Sequence, residues 1–330
     1  MKVSVAINNY NYGQFVSRAI ESALSQTYND VEVIVVDDGS NDNSRQIIAN
    51  FGKRVTAVHK TNGGQGSALN AAFRRVTGEV VFFLDADDFL YPETCATIVA
   101  AWHTEYSKIQ FPLKCVDSEG RELGYNVPRQ PLDSGEVRQK LLKVGYQVCA
   151  YMSGNAWNAR VLEKILPMPE EEFRVSADDY LNTLAPFYGP VASIDETLGA
   201  YRLHADSNWS AKLQDKTRFY SMTRAKLLGM MRRISLTRGE AEKRNLPVTE
   251  VLPLYDFSHT RLRLISLRGE RAHHPFPSDT YLKLLIMGFK APIRDPYLSF
   301  ARKTKAIVSF LVFALCSRAS ICRLYFKLLK

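Results

Sequence analysis

The sequence predicts an α/β fold with a mostly parallel central sheet flanked by helices, followed by a helical C-terminal region. Three observations carry this. Four apolar, β-rich runs alternate with helical segments in the first hundred residues, those runs are apolar almost throughout, and residues 211–330 show a predominantly helical pattern. Strand and helix alternating at this spacing build βαβ units. Strands covered on both faces lose the in/out alternation of a half-exposed sheet.

The first strand is KVSVAI, followed by a helix over roughly 14–26. VEVIVV leads to a helix opening after Ser40, and RVTAVH to one starting near Gly66. EVVFFL completes the series, with a helix from Pro92. From about 105 to 205 the pattern is mixed: a strand near 108–116, turn signals at DSEG and VPRQP, and the run SGNAWNARVLEKI. A boundary is expected near 210. In open α/β sheets ligands bind beyond the carboxyl ends of the strands. The segments to search are therefore NNYNYG, DDGSND, KTNGGQGS and DADD.

The composition, 46% hydrophobic and 23% charged over 330 residues, suits a soluble globular protein. Cys95, Cys115, Cys149, Cys316 and Cys322 are scattered and form no C-x-x-C pair, which argues against a zinc site or a disulfide framework. A reducing cytoplasm is the expected compartment. MKVSVAINNYNYG turns polar too early for a signal-peptide core, so export is not expected. The net charge is +9, and eleven of the 43 Lys/Arg but only two of the 34 acids lie in 271–330. The remainder balances at 32 of each sign, so the whole excess sits in the C-terminal region.

No G-x-G-x-x-G follows the first strand and no G-K-[ST] follows a glycine-rich loop, so dinucleotide and P-loop chemistry lack their phosphate-binding parts. Acidic residues stand where those folds place glycines. That pattern fits a diphosphate bridged by a hard cation, which favours oxygen ligands.

Four motifs are decisive together: VVDDGSNDNS with Asp37 and Asp38, LDADD with Asp85, Asp87 and Asp88, ADDYLNTL with Asp178 and Asp179, and YRLHADSNWS with Arg202 and His204. With AINNYNYGQFVSRAIESALSQTY and NGGQGSALNAAFRRVTGEVVFFLDADD, they resemble the inverting family 2 glycosyltransferases over about residues 1–210. The resemblance implies the nucleotide-diphospho-sugar transferase fold of the GT-A type. It also implies a catalytic domain over 1–210, with a nucleotide half to about 105 and an acceptor half over 106–210, ahead of a helical region at 211–330.

The same resemblance implies roles for single residues. Tyr10 would stack on the donor base, with Asn11 beside it, and Asp38 would accept a hydrogen bond from that base, with neighbouring Asp37 as the second candidate partner. Asp85 would face the ribose, Asp87 would ligate Mn²⁺ or Mg²⁺ with Asp88 as a further metal-site acid, and His204 would lie near the diphosphate or metal. Asp179 would be the base that deprotonates the acceptor hydroxyl. The implied partners are a nucleotide-diphospho-sugar donor and a saccharide or lipid-linked acceptor, in surface polysaccharide or glycoconjugate synthesis. Trp157 and Trp209 are acceptor-site candidates, because aromatic faces suit sugar rings, and core packing is the competing role. The chain departs from the family's usual pattern at Asn8, where proline is common, and at Leu69, where arginine is common.

Two other readings stay open. A sugar-phosphate nucleotidyltransferase shares the fold type but usually carries G-G-x-G-T-R where this chain has NNYNYG. A non-catalytic saccharide-binding or membrane-scaffolding protein would not need the acids at 85, 87 and 179. For the basic segment 302–330, an in-plane helix peripheral to an anionic membrane surface, on the inner face of the cell membrane, is the expectation. Packing on the protein or at a homodimer interface is the alternative. Nucleic acid is set aside, since an acidic donor site offers it no role.

Overall fold

The computed structural model describes residues 1–204, 216–248, 257–317, 320, 321 and 325. The chain divides into two compact units, Met1–Arg138 with Gln147–His204, and Gln139–Tyr146 with Ala205–Lys330.

The first unit opens with β1 (Val3–Asn9), α1 (Gly13–Leu24), β2 (Val31–Asp37), α2 (Ser44–Ala49), β3 (Thr56–His59), α3 (Gln65–Phe73) and β4 (Val80–Asp85). It continues with β5 (Phe89–Leu90), α4 (Thr94–Ala100), β6 (Lys108–Gln110), β7 (Leu113–Val116), β8 (Glu122–Val127) and the start of α5 (Val137–Val144). β9 (Asn155–Asn158), α6 (Ala159–Ile165), α7 (Ala177–Leu184), β10 (Val191–Ser193) and β11 (Gly199–Arg202) complete it.

A seven-stranded sheet runs β10-β6-β9-β4-β1-β2-β3. β1 pairs in parallel with β2 and β4, and β2 with β3, while β9 is antiparallel to both β4 and β6. Val3, Val5, Ala6 and Ile7 are all completely buried. Successive strand residues face opposite sides, so helices cover both faces of β1, as its almost continuous apolar run requires. The parallel strands also end on one edge, in register. Asn8 lies opposite Asp85, Asn9 opposite Asp37, and Asp37 opposite His59.

The single strand expected near 108–116 is two. β6 joins the main sheet, whereas β7 joins a smaller sheet ordered β5-β11-β7-β8. Pro112 lies between them, and proline has no N–H to continue a ladder. The split allows β11, parallel to β7 and antiparallel to β5, to bring Arg202 and His204 beside the turn after β4. Asn158 ends β9 and caps α6 by accepting from the Arg160 N–H at 3.1 Å, which explains the strand-to-helix switch inside SGNAWNARVLEKI.

The second unit contains α8 (Lys216–Lys243), α9 (Phe257–Gly269), α10 (Tyr281–Arg294) and α11 (Phe300–Leu315). Phe219 and Leu227 of α8 pack with Leu262 and Ile265 of α9 and with Phe313 of α11. Leu264, Leu284, Met287, Phe310 and Ala314 form an adjoining cluster. Gly288 lets α10 and α11 approach closely, since a Cβ there would lie 2.1 Å from the Phe310 ring. Arg268 closes the carboxyl end of α11, donating to the carbonyls of Ala314 (2.8 Å) and Cys316 (2.7 Å).

Of the basic segment 302–330, residues 302–315 lie in α11, where Phe310 is completely buried in the protein and Phe313 nearly so. Residues 302–315 are thus part of a packed helix. Cys322, Arg323, Leu324, Lys327, Leu328 and Lys330 lie outside the described residues. No described helix is long and apolar enough to cross a membrane.

Candidate active site

The carboxyl edge of the main sheet gathers most of the predicted residues. Asp85, the last residue of β4, is half-buried and accepts from the side-chain amides of Asn8 (3.0 Å) and Gln65 (3.1 Å). Burial first, and then the negative charge of Asp87, push its pKa up to about 7. The Asn8 departure from the family pattern is thus part of the site. An asparagine there supplies a donor that proline lacks.

Asp87 and His204 meet at 3.1 Å between Oδ2 and Nε2, and both side chains are largely buried. The His204 ring lies edge-on to Tyr12 and against Phe15, with centroids 5.3 and 4.7 Å away. The Asp87 carbonyl accepts from Arg202 Nε at 2.7 Å, which ties the DADD turn to β11.

Asp88, the further acid expected at the metal site, is held inside the protein. It is 1% exposed, and its carboxylate accepts from Ser153 Oγ (2.6 Å) and the Arg202 N–H (2.9 Å). Burial and the charges of Asp87 and Asp85 raise its pKa well above the carboxylate range. In this arrangement Asp88 joins the two sheets beneath the site.

On the neighbouring strand, Asp37 is fully buried and accepts from Arg45 Nε (2.8 Å) and Asn9 (3.2 Å). Asp38 accepts from Lys60 Nζ (2.6 Å) and the N–H groups of Gly63 (3.0 Å) and Gly64 (2.7 Å). Asp38 therefore holds the loop 60–64 in shape, a task the sequence reading did not assign to it. Tyr10 follows β1 with a 44% exposed ring. Asn11, at φ 56°, accepts from the Asn41 N–H at 2.7 Å and so clips this loop to the one after β2.

Asp178 and Asp179 lie in the first turn of α7, where the helix dipole favours acids. Both are half-buried, and Ser176 just before them has φ 63°. Gln65 links this helix to the sheet edge. Its Oε1 accepts from the Ala177 N–H (3.0 Å) while Nε2 donates to Asp85 (3.1 Å), the one amide orientation that satisfies both neighbours. Around it, the N–H groups of Gln65 and Gly66 donate to the carbonyls of Arg174 and Phe173, both at 2.9 Å. Gly64, at φ 86°, is required for this approach, because a Cβ there would come within 2.7 Å of Arg174 backbone atoms.

A second anchor lies deeper. Lys108 of β6 is fully buried and donates to Gln110 and Asn155, each at 2.8 Å, and to Asn182 of α7. Burial lowers its pKa to about 8. Neither Gln65 nor Lys108 was found in the sequence. A lysine inside the strand SKIQF was the available signal for the second, and the first had none beyond its place in a glycine-rich loop.

Trp157 is completely buried in β9, so it packs the core and cannot meet an acceptor. Trp209 lies outside the described residues. Leu69 is also completely buried and offers no phosphate contact.

A sequence model of the family described as Glycosyl transferase family 2 matches residues 4–157. The uncharacterised glycosyltransferase alr2836 of Nostoc sp. is 36% identical over 214 residues, which are 63% of this chain and 66% of that protein. Chondroitin synthase of Escherichia coli is 37% identical over 146 residues, 41% of this chain and 21% of the synthase. The chain thus spans just under two thirds of the first relative and a much smaller part of the second. Two solved structures share the fold. TarS of S. aureus in complex with UDP-GlcNAc gives a TM-score of 0.53 at 18% identity, covering 98% of this chain and 89% of that one. PcManGT, a mannosyltransferase from Pyrobaculum calidifontis in complex with GDP-Man and Mn²⁺, gives 0.53 at 17% identity, covering 95% and 87%. Over residues 4–157 the chain thus carries a domain that matches glycosyltransferase family 2.

Proposed function

We propose that the chain transfers a sugar from a nucleotide-diphospho-sugar to a saccharide or lipid-linked acceptor, with inversion and with the help of Mn²⁺ or Mg²⁺. The observation that carries this reading is the convergence of Asp85, Asp87 and His204 at the sheet edge with the start of α7, joined through Gln65. The ligands bound by TarS and PcManGT support the donor class, and likeness to a chondroitin synthase supports a role in polysaccharide or glycoconjugate synthesis. A cytoplasmic setting belongs to the same proposal, in line with five scattered cysteines that form no C-x-x-C pair.

In this reading the exposed ring of Tyr10 packs on the base, and Asn11 and Asp38 hold the two loops that flank it. Asp85 faces the ribose side. Asp179 takes the proton of the acceptor hydroxyl as its oxygen attacks the anomeric carbon, and a single displacement inverts that carbon.

The donor set fits a hard dication. Asp85 is pushed up to about 7 partly by the charge of Asp87, and a cation would relieve that crowding. Asp87 and His204 would hold it, with Asp88 behind them fixing the turn. Among the described residues no group of three or more such side chains closes round an ion, so donor and water oxygens would complete its shell. When bound, the cation offsets the negative charge that builds on the leaving diphosphate. A panel of nucleotide sugars should raise the melting temperature for one donor class in the presence of Mn²⁺. No shift with any donor would count against the reading.

Gln65 supplies a further expected result. Gln65→Ala should lower kcat about 10- to 100-fold, because small misplacement of catalytic groups is costly. The melting temperature should change little. Unaltered kcat would show that α7 keeps its place without this bridge.

A further inference from the structure

Helix α10 carries two apolar faces. Leu284, Met287, Gly288 and Ala291 are buried against the rest of the second unit. On the opposite side, Leu282 (67% exposed), Ile286 (47%), Phe289 (37%) and Ile293 (61%) recur at helical spacing as one outward stripe. Helix propensity and core packing explain the first face and leave the second without a role, since a solvated face is ordinarily polar.

The charges beside that stripe identify its partner. Lys283, Lys290 and Arg294 are exposed and lie along one flank, about 100° round the helix from the apolar line. Exposed Arg302 and Lys305 follow at the start of α11. Just past α10, the half-exposed ring of Tyr297 lies within 5.3 Å of Lys140 Nζ and 5.9 Å of Lys143 Nζ. The only acids in 271–317, Asp279 and Asp295, are both buried. Asp279 is bound by Arg263 and His274 and also lies 3.8 Å from Lys283 Nζ, and Asp295 accepts from the Tyr146 hydroxyl. Against these two buried acids, Lys283, Lys290, Arg294, Arg302 and Lys305 leave the flank net positive.

We propose that the outward face of α10 is a docking surface for an anionic lipid bilayer, the apolar stripe entering the interface while Lys283, Lys290 and Arg294 meet the headgroups. An apolar stripe beside like charges is poorly suited to a second copy of itself, because a symmetric contact would bring those cations together. Anionic lipid satisfies both features at once. The proposal does not depend on the chemistry of the first unit and differs from the free C-terminal helix expected from the sequence.

The test is cosedimentation of the full chain with vesicles of equal parts phosphatidylglycerol and phosphatidylcholine, against phosphatidylcholine alone. Wild-type protein should bind the anionic vesicles at low salt, release in high salt, and ignore the neutral ones. The combined change Lys283→Gln, Lys290→Gln and Arg294→Gln should weaken binding about 100-fold, following the contribution of each basic residue near such a surface. Leu282→Ser with Ile293→Ser should also release the protein at an unchanged melting temperature. Wild-type protein left in the supernatant, or variants that bind like wild type, would overturn the proposal. So would vesicle-indifferent protein that is dimeric until Leu282 and Ile293 are replaced, since the stripe would then belong to a second copy.

Discussion

Asp179→Asn is expected to lower turnover by about 10²- to 10⁴-fold, the range over which a positioned general base contributes. The sequence placed this acid in ADDYL, and the structure puts it in the first turn of α7, whose N-terminus reaches Asp85 through Gln65. Asparagine keeps the size and much of the hydrogen bonding of aspartate but cannot accept the acceptor's proton. The loss should therefore fall on the transition state, with donor affinity nearly intact. Steady-state kinetics beside donor binding separate the alternatives. Equal losses in both would place Asp179 in the nucleotide site, and wild-type turnover would leave the base unassigned.

Asp87→Asn should abolish metal-dependent donor binding and with it nearly all transfer. Its carboxylate is held by His204 at 3.1 Å, and its charge contributes to the raised pKa of Asp85. Removing that charge takes away one cation ligand and relieves Asp85 together. A pH dependence follows. Asp85 moves from 3.8 to about 7 on folding, so without metal its contribution to stability is present at low pH and lost as pH rises through about 7. A cation binds the ionised form. The melting-temperature gain from Mn²⁺ should accordingly grow as pH rises through about 7, and should vanish in Asp87→Asn. A variant that keeps the gain would remove Asp87 from the metal site.

What could be read in the sequence followed local pattern. β1, β2 and β4 are predominantly apolar runs, interrupted only by Ser4 and Glu32, that end in polar or acidic residues, so both the strands and the edge carrying the site were visible. What could not be read depends on contacts distant in sequence. The antiparallel β9 is short, and its pairing with β4 and β6 is set by tertiary packing. Trp157 is buried there because β9 lies inside the sheet, a position no aromatic signal reveals. Asp88 belongs to the same acidic cluster as Asp87, yet Ser153 and Arg202, 65 and 114 residues away, fix it beneath the site. Gln65 likewise becomes a bridge only when α7, 112 residues on, folds over it.

The central claim is that the sheet-edge acids and α7 together perform metal-assisted sugar transfer. The most direct measurement is release of nucleoside diphosphate from a panel of nucleotide sugars in Mn²⁺, with and without excess chelator, for wild-type protein and Asp179→Asn. The account predicts release from one donor class by the wild type, its loss in chelator, and a large fall in the variant. Full release in chelator, or undiminished release by Asp179→Asn, would contradict it.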